Sequence, residues 1–390
     1  MCSIPVRVAL VVAIAVAMSS LPGAQKSAGT SELGPTFQYI GPLAVGPDDV
    51  LFAADAQDVS IYALQLGKHT QGGQPGTKDI PNIDRQIAAL LGTDAADIVI
   101  TDMAVYPKTR NTFISVMRGQ GTSAKAVLVR VDGAGTINVV PFDQLHYSKV
   151  KLPSPPGKIT PLPLAGGREL PIPNYPDKPK TDGALNLFGV QTITDMAYYE
   201  GRLYVAGLSN EEFASRFRSI PFPFKTVDKG TSVEIWHGSH GQFETRSPIY
   251  TFVPYKINGV PHLIASYLCT PLVKFPIASL KPGADVRGET IGELGNRNRP
   301  LDMIVYTKNG QDFLLMSNNM RGVMKIPTSG FATTTPIVKR VGDDERVGVV
   351  PEAIQSLKGV EQLDLLDQGH ALLLIKSDNA SLNLSAVPLP

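Results

Sequence analysis

Cysteine is nearly missing from this chain: Cys2 and Cys269 are the two among 390 residues. Net charge is nearly missing too, with 36 Lys and Arg against 35 Asp and Glu. There is one tryptophan, there are six histidines, and no long apolar run follows Met18. Each shortage removes a class of explanation. A balanced charge supplies no cationic face, so nothing in it favours nucleic acid or an anionic membrane surface as partner. The absence of further apolar runs leaves no second segment of membrane-spanning length. Also absent are the G-x-S-x-G turn of serine hydrolases, a phosphate-binding loop and a dinucleotide fingerprint.

The first residues carry the one strongly apolar stretch. Arg7 provides a short positive region, and Val8 to Met18 (VALVVAIAVAM) is an apolar run of 11 residues. Small residues follow and end near Ala24. The run is too short for a bilayer-spanning helix and has the layout of an export signal. Residues 1–24 are therefore expected to be a signal peptide, residues 36–390 one domain, and the location secreted or periplasmic. The competing reading is a single membrane anchor. Cys2 leaves with the signal, so Cys269 is alone and no intramolecular disulfide can form. A lone cysteine of this kind is expected to be a small buried hydrophobe. Stability must then come from packing, for which 43% hydrophobic residues suffice.

What the sequence has in abundance is repetition. Thr251–Pro276 (TFVPYKINGVPHLIASYLCTPLVKFP) aligns without a gap on Asp302–Pro327 (DMIVYTKNGQDFLLMSNNMRGVMKIP), at an offset of 302 − 251 = 51. Tyr255 matches Tyr306, Asn258-Gly259 matches Asn309-Gly310, and Lys274 and Pro276 match Lys325 and Pro327. Asn-Gly is the preferred centre of a two-residue hairpin, because both positions need positive φ. Each unit thus reads as strand, tight turn, strand, turn, strand. Related units open at Pro42, Asp102, Asp195 and Gln362, which makes six. A four-stranded blade takes about 40–50 residues, and the observed spacings leave room for insertions. The expected fold is all-β: a propeller of about six four-stranded blades, with a seventh possible. A fourth strand fits after each third one, as at Ser232–His237. Ile83–Leu91 (IDRQIAALL) has helical apolar spacing and Gly92 as a stop, so one short inserted helix is expected. Leu152–Lys180 is too rich in proline for an inner strand and is expected to form a long loop, or to hide the seventh blade. Residues 36–40 are expected to pair with the last blade and close the ring.

The stretch Gly41–Asp55 (GPLAVGPDDVLFAAD) resembles the blade phrase of NHL-repeat, YVTN-type and gluconolactonase-like propellers. The likeness is a few residues per blade. It implies the propeller fold, and fold alone does not carry activity. In such a fold the innermost strands start beside the central channel. This places Asp102, Asp195 and Asp302 around one rim, with Asp55, Arg118, Asn210, Tyr267, Asn318 and Asn319 in loops nearby. Arg299, in Asn296-Arg-Asn-Arg-Pro300, enters from the same side. Three carboxylates could hold Ca²⁺, which takes six to eight oxygen ligands. The resemblance to gluconolactonase-like propellers implies a catalytic divalent ion at that rim. The Glu-Gly-Pro-like opening of that group is absent, with Pro42 in its place. The alternative is that each Asp caps its own blade by accepting backbone N–H groups.

A second cluster is Trp236-His-Gly-Ser-His-Gly-Gln-Phe-Glu-Thr-Arg246. His237, His240 and Glu244 have an H-x2-H-x3-E spacing that transition metals accept. Gly238 and Gly241 indicate a turn, so a loop of mutually satisfied polar groups is the alternative. The cluster lies between a fourth strand and the next first strand, and is expected on the same face as the three Asp. Two functional readings follow. In one, the chain binds a small molecule or a protein on its channel face. In the other, it is a divalent-metal-dependent lactonase or related hydrolase with the ion at the rim.

Overall fold

The structure is a computed structural model, and its described residues are 31–72, 79–119, 123–153, 192–209, 215–244, 247–267, 271–295, 298–342 and 345–390. The expected export signal, Cys269, Asn210 and nearly all of the proline-rich stretch lie outside them. Six sheets, antiparallel apart from Asp285–Arg287 running parallel to Ser232–Glu234, each with at least four strands, form a six-bladed β-propeller. Blades are numbered by the chain order of their innermost strands: Ile40–Val45, Ile98–Val105, Asp195–Tyr199, Ile249–Ile257, Pro300–Lys308 and Val360–Leu365. One α-helix occurs among the described residues, Ile83–Leu91, closed by Gly92 in the left-handed conformation.

The strand patterns follow from the propeller's geometry. A blade packs a neighbour on each face, so its middle strands are apolar on both sides. In blade 1, Val50–Asp55 is buried throughout. Leu51 and Ala53, with Tyr62 and Leu64 of the next strand, face blade 2. Phe52 and Ala54, with Ile61 and Ala63, face blade 3. The aligned repeats of blades 4 and 5 turn as their Asn-Gly pairs require: φ is +48° and +79° at Asn258 and Gly259, and +52° and +74° at Asn309 and Gly310. Each of the six hydrophobic clusters fills one gap between blades, and together they close the ring.

The order around that ring departs from chain order. Blade 1 packs against blades 2 and 3, and blade 2 packs against blade 6. Blades 3, 4, 5 and 6 follow in sequence. The ring therefore reads 3-4-5-6-2-1. The first two blades are laid down against the direction of the other four. After blade 2 the chain returns: His146–Lys151 pairs antiparallel with Ser60–Gln65 and becomes the fourth strand of blade 1. That blade does not draw its fourth strand from the residues after its third, as the other units suggest. On the way out, Asp79–Ile80 pairs with Ser385 and Leu384 and becomes the outer strand of blade 6.

Two expectations are corrected. Residues 36–40 do not close the ring on the last blade. Ile40 opens blade 1, and the amides of Gln38 and Tyr39 donate to the Asp55 carboxylate at 2.6 and 3.2 Å. The ring is instead sealed by the packing of blade 6 on blade 2, with Asp79–Ile80 as its edge strand. A seventh blade has no place, because the inner face of blade 1 packs directly on blade 3.

Leu51 is fully buried between blades 1 and 2. Truncating Leu51→Ala should cost about 2–5 kcal/mol, the usual range for a core deletion. Equilibrium urea unfolding measures this. A loss below about 1 kcal/mol would show that the gap collapses around the missing side chain.

Candidate functional site

The channel is lined by the innermost strands, and its chemistry is set by four aspartates. Asp195 opens the inner strand of blade 3, Asp302 is the third residue of the inner strand of blade 5, and Asp102 is the fifth residue of the inner strand of blade 2. Asp364 of blade 6 joins them, two residues further along than Gln362, which opens that unit. All four make the same pair of hydrogen bonds. One carboxylate oxygen accepts the N–H of the following residue: Met103 at 2.8 Å, Met196 at 2.7 Å, Met303 at 2.8 Å and Leu365 at 2.7 Å. The other oxygen accepts an N–H from the innermost strand of the next blade. Asp195 takes Phe252 of blade 4 at 2.8 Å, and Asp302 takes Leu363 of blade 6 at 2.9 Å. Asp364 takes Val105 of blade 2 at 2.7 Å, and Asp102 takes Leu43 of blade 1 at 2.6 Å.

The residue before the aspartate completes the joint in two blades. The Thr101 hydroxyl donates to the Ile40 carbonyl at 2.8 Å, and the Thr194 hydroxyl donates to the Ile249 carbonyl at 2.5 Å. In Ile100-Thr-Asp-Met-Ala104 and Ile193-Thr-Asp-Met-Ala197 the hydroxyl gives to the neighbouring strand and the carboxylate takes from it. The repeated threonine was the legible signal for this staple. Asp364 was harder to find, because its register is shifted by two residues.

The carboxylates are enclosed by protein yet keep part of their surface on the channel. Burial pushes all four upward, against the pull of the amides. Asp195 is pushed up to about 7 and Asp364 to about 6. Asp102 and Asp302 lie well above the ordinary carboxylate value, because the other ring carboxylates add their repulsion to burial. The ring thus carries less negative charge than four carboxylates in water.

A cavity of about 1360 Å³ extends from this ring along the inner strands. Asp102, Asp195, Asp302 and, two residues further along its strand, Asp364 line it, and Pro107, Arg110, Asp312, Asp367 and Gln368 line it beyond the strand ends. It therefore reaches the face of the strand 1–2 turns, opposite the face where the inner strands begin. At that mouth Arg110 and Asp367 are 3.3 Å apart, and Asp367 also meets His370 Nδ1 at 3.0 Å.

The other expected rim residues are dispersed. Arg299 donates its N–H to Asn319 Oδ1 at 2.7 Å, beside the start of blade 5, and its guanidinium is coupled to Tyr250 and Glu361. Asn318 is buried and occupied within blade 5, accepting from Asn298 Nδ2 at 3.0 Å and donating to the Met316 carbonyl at 3.2 Å. Tyr267 is fully buried in the packing between blades 3 and 4. Arg118 is exposed at the end of its strand, opposite Lys125. Asp55 is buried beneath four amides, from Gln38, Tyr39, Gln57 and Asp58. None of these five residues lines the cavity.

His237, His240 and Glu244 do come together. They occupy the turn of a hairpin in which Gln242–Glu244 adds a fifth strand to blade 3, outside Thr231–His237. The site is thus on the outer edge of its blade and does not line the channel cavity. His240 Nδ1 is 2.8 Å and His237 Nδ1 3.7 Å from Glu244 Oε1. Burial would raise Glu244, but the two imidazoles outweigh it and hold the carboxyl at about 2.

No family model matches the chain, and no curated protein sequence does. Solved structures with partial likeness include the PQQ-bound aldose sugar dehydrogenase of Streptomyces coelicolor, 9% identical over 92% of this chain and 96% of that one, TM-score 0.31. Another is Drosophila semaphorin 1b, extracellular domains 1–2, 10% identical over 92% of this chain and 88% of that one, TM-score 0.33. A third is an engineered GH43 glycoside hydrolase, 11% identical over 75% of this chain and 51% of that one, TM-score 0.31. Likeness at this level carries no argument about activity.

The ring fixes the sign of a pH dependence. Between the ordinary carboxylate value of 3.8 and the values of about 7 and 6 at Asp195 and Asp364, the folded state holds more protons than the unfolded chain. The contribution of these groups to stability is complete below that window and is lost as pH rises through it. Glu244, held at about 2, acts oppositely and loses its contribution as pH falls from 4.5. His69, lowered by burial, also opposes the ring but is a single partly buried group. Melting temperature should peak at roughly pH 4–5 and fall toward pH 8. The fall should be shallower in Asp364→Asn. Melting that is flat from pH 5 to 8 would contradict a buried aspartate ring.

Proposed function

We propose that this chain is an exported propeller that binds a small molecule in its channel cup, through a cationic or multiply hydrogen-bond-donating group seated on the aspartate ring. The observation that carries the reading is the position of the four carboxylates, at one end of a cavity of about 1360 Å³. Each carboxylate oxygen has spent one acceptor site on an amide, and a carboxylate offers about four in all. Acceptor capacity therefore remains on the channel side. Burial keeps these groups above their ordinary range. A bound cation would favour their charged form, so binding at neutral pH should release protons. Export rests on residues 1–24, whose short apolar run and small-residue end have the signal layout.

The hydrolase reading needs the rim carboxylates to converge on one ion. Among the described residues, the group that brings three such ligand atoms within 4.8 Å is His237, His240 and Glu244, away from the channel. The amide staples already account for the equivalent positions of the aspartates, which favours binding over metal-dependent hydrolysis.

The test is titration calorimetry at pH 7 with a linear diamine, a quaternary ammonium compound and a neutral diol of the diamine's length. The diamine should bind with a heat that varies with buffer ionisation enthalpy, while the diol should not bind. Asp302→Asn should weaken the diamine by about tenfold or more, the usual cost of a lost charge-assisted bond. Equal binding of the diol, or no binding of either cation, would overturn the reading. Melting curves of the chelator-stripped, dialysed chain with and without added Ca²⁺ should coincide. A Ca²⁺ shift that disappears in Asp195→Asn would restore the metal-dependent hydrolase.

A further inference from the structure

The outer hairpin of blade 3 has the parts of a transition-metal centre, independently of the channel. We propose that His237, His240 and Glu244 bind a divalent ion of the zinc class, with the fourth position open to water. Their ligand atoms all lie within 4.8 Å of one another. Four-coordinate zinc with bonds of about 2.0–2.1 Å places neighbouring ligand atoms roughly 3.3 Å apart. The two measured separations, 2.8 and 3.7 Å, bracket that value. The two distances to Glu244 Oε1 need change by only about half an ångström to reach that value, and the histidine ligand atoms lie within 4.8 Å of each other.

The surroundings hold the ligands in place. His237 is 1% exposed, and its Nε2 meets the Ser239 hydroxyl at 2.8 Å. That contact orients the ring and leaves Nδ1 for the site, the arrangement in which an outer partner sets the tautomer of a metal-binding histidine. The two imidazoles pack at 3.9 Å between centroids. Gly238 makes the tight path possible, since a Cβ there would stand 2.8 Å from Glu293 Oε1 and from Val341 Cγ2. Its N–H donates to Glu293 Oε1 at 2.6 Å, which puts a second, buried carboxylate behind the loop. Gly241 closes the turn at φ +64°. Trp236 and Phe243 pack edge to face across the two strands, at 5.0 Å, and stiffen the base of the hairpin.

The donor set selects the ion. Two imidazole nitrogens and one carboxylate suit zinc, copper or nickel, and give Ca²⁺ too few oxygens. His240 is the exposed member, and on its side the fourth position meets solvent. A neutral His pair with Glu244 and the underlying Glu293 would balance a divalent charge.

The experiment uses the full chain stripped with chelator and titrated with Zn²⁺, then with Co²⁺ as a spectroscopic probe. One Zn²⁺ per chain is expected, with Co²⁺ giving the intense visible bands of four-coordinate cobalt. His240→Ala and Glu244→Gln should abolish both signals, while circular dichroism shows that both variants remain folded. Ser239→Ala should weaken Zn²⁺ by about tenfold, as loss of an orienting partner does. Affinity should fall below pH 6.5, where free imidazole protonates. Absence of Zn²⁺ binding at micromolar concentration would overturn the proposal. So would a stoichiometry unchanged in both His240→Ala and Glu244→Gln, which would place the ion elsewhere.

Discussion

Everything in this propeller hangs on how neighbouring innermost strands are joined around an open channel. These strands cannot share sheet hydrogen bonds with one another, because each is the inner edge of its own sheet. Their free N–H groups would face the channel unpaired. Asp102, Asp195, Asp302 and Asp364 answer this by accepting one amide from their own strand and one from the next. An ionised or half-ionised carboxylate serves because both of its oxygens accept. The consequence is a cluster of carboxylates that burial and mutual repulsion push upward. The device that holds the ring together also gives the channel its chemical character.

The staples have a direction, and that direction is kept where the chain's own path is not. Acceptance runs from blade 3 to 4, from 5 to 6, from 6 to 2 and from 2 to 1. Blade 2 therefore follows blade 6 in the ring although it precedes it by more than two hundred residues in the chain. The reversal leaves two edges to be covered. His146–Lys151 covers blade 1 and Asp79–Ile80 covers blade 6, so segments from the first part of the chain seal both ends of the ring. These long-range pairings tie the early blades to the late ones. Exposed sheet edges would otherwise invite pairing with other chains.

Two regions concentrate ionisable groups, and they differ in kind. The channel ring is carboxylate only, joined through backbone amides, and opens into a large cup. The hairpin at His237–Glu244 is small, mixed in ligand type and set on the outer edge of blade 3. Its histidines stabilise one carboxylate, whereas in the ring the carboxylates destabilise one another. A hard multi-oxygen site and a compact nitrogen-rich site call on different ions, so the two regions are chemically separable.

The repeat units, read as sequence, were enough to determine an all-β propeller of about six blades, the Asn-Gly hairpins of blades 4 and 5, the helix Ile83–Leu91 and the equivalence of Asp102, Asp195 and Asp302. These are local matters: strand period, turn conformation and helix stop are set by residues a few positions apart. Tertiary structure alone decided the ring order 3-4-5-6-2-1 and the outer strands 79–80 and 146–151, because all blades present similar apolar faces and no local pattern names their neighbours. It also separated the expected rim residues. Tyr267 and Asn318 went into packing, where burial and saturated hydrogen bonds hold them, while Asp364 joined the ring from a shifted register. The partners of the aspartates were beyond sequence for the same reason, since a carboxylate's second acceptor site is filled by whichever strand the fold brings beside it.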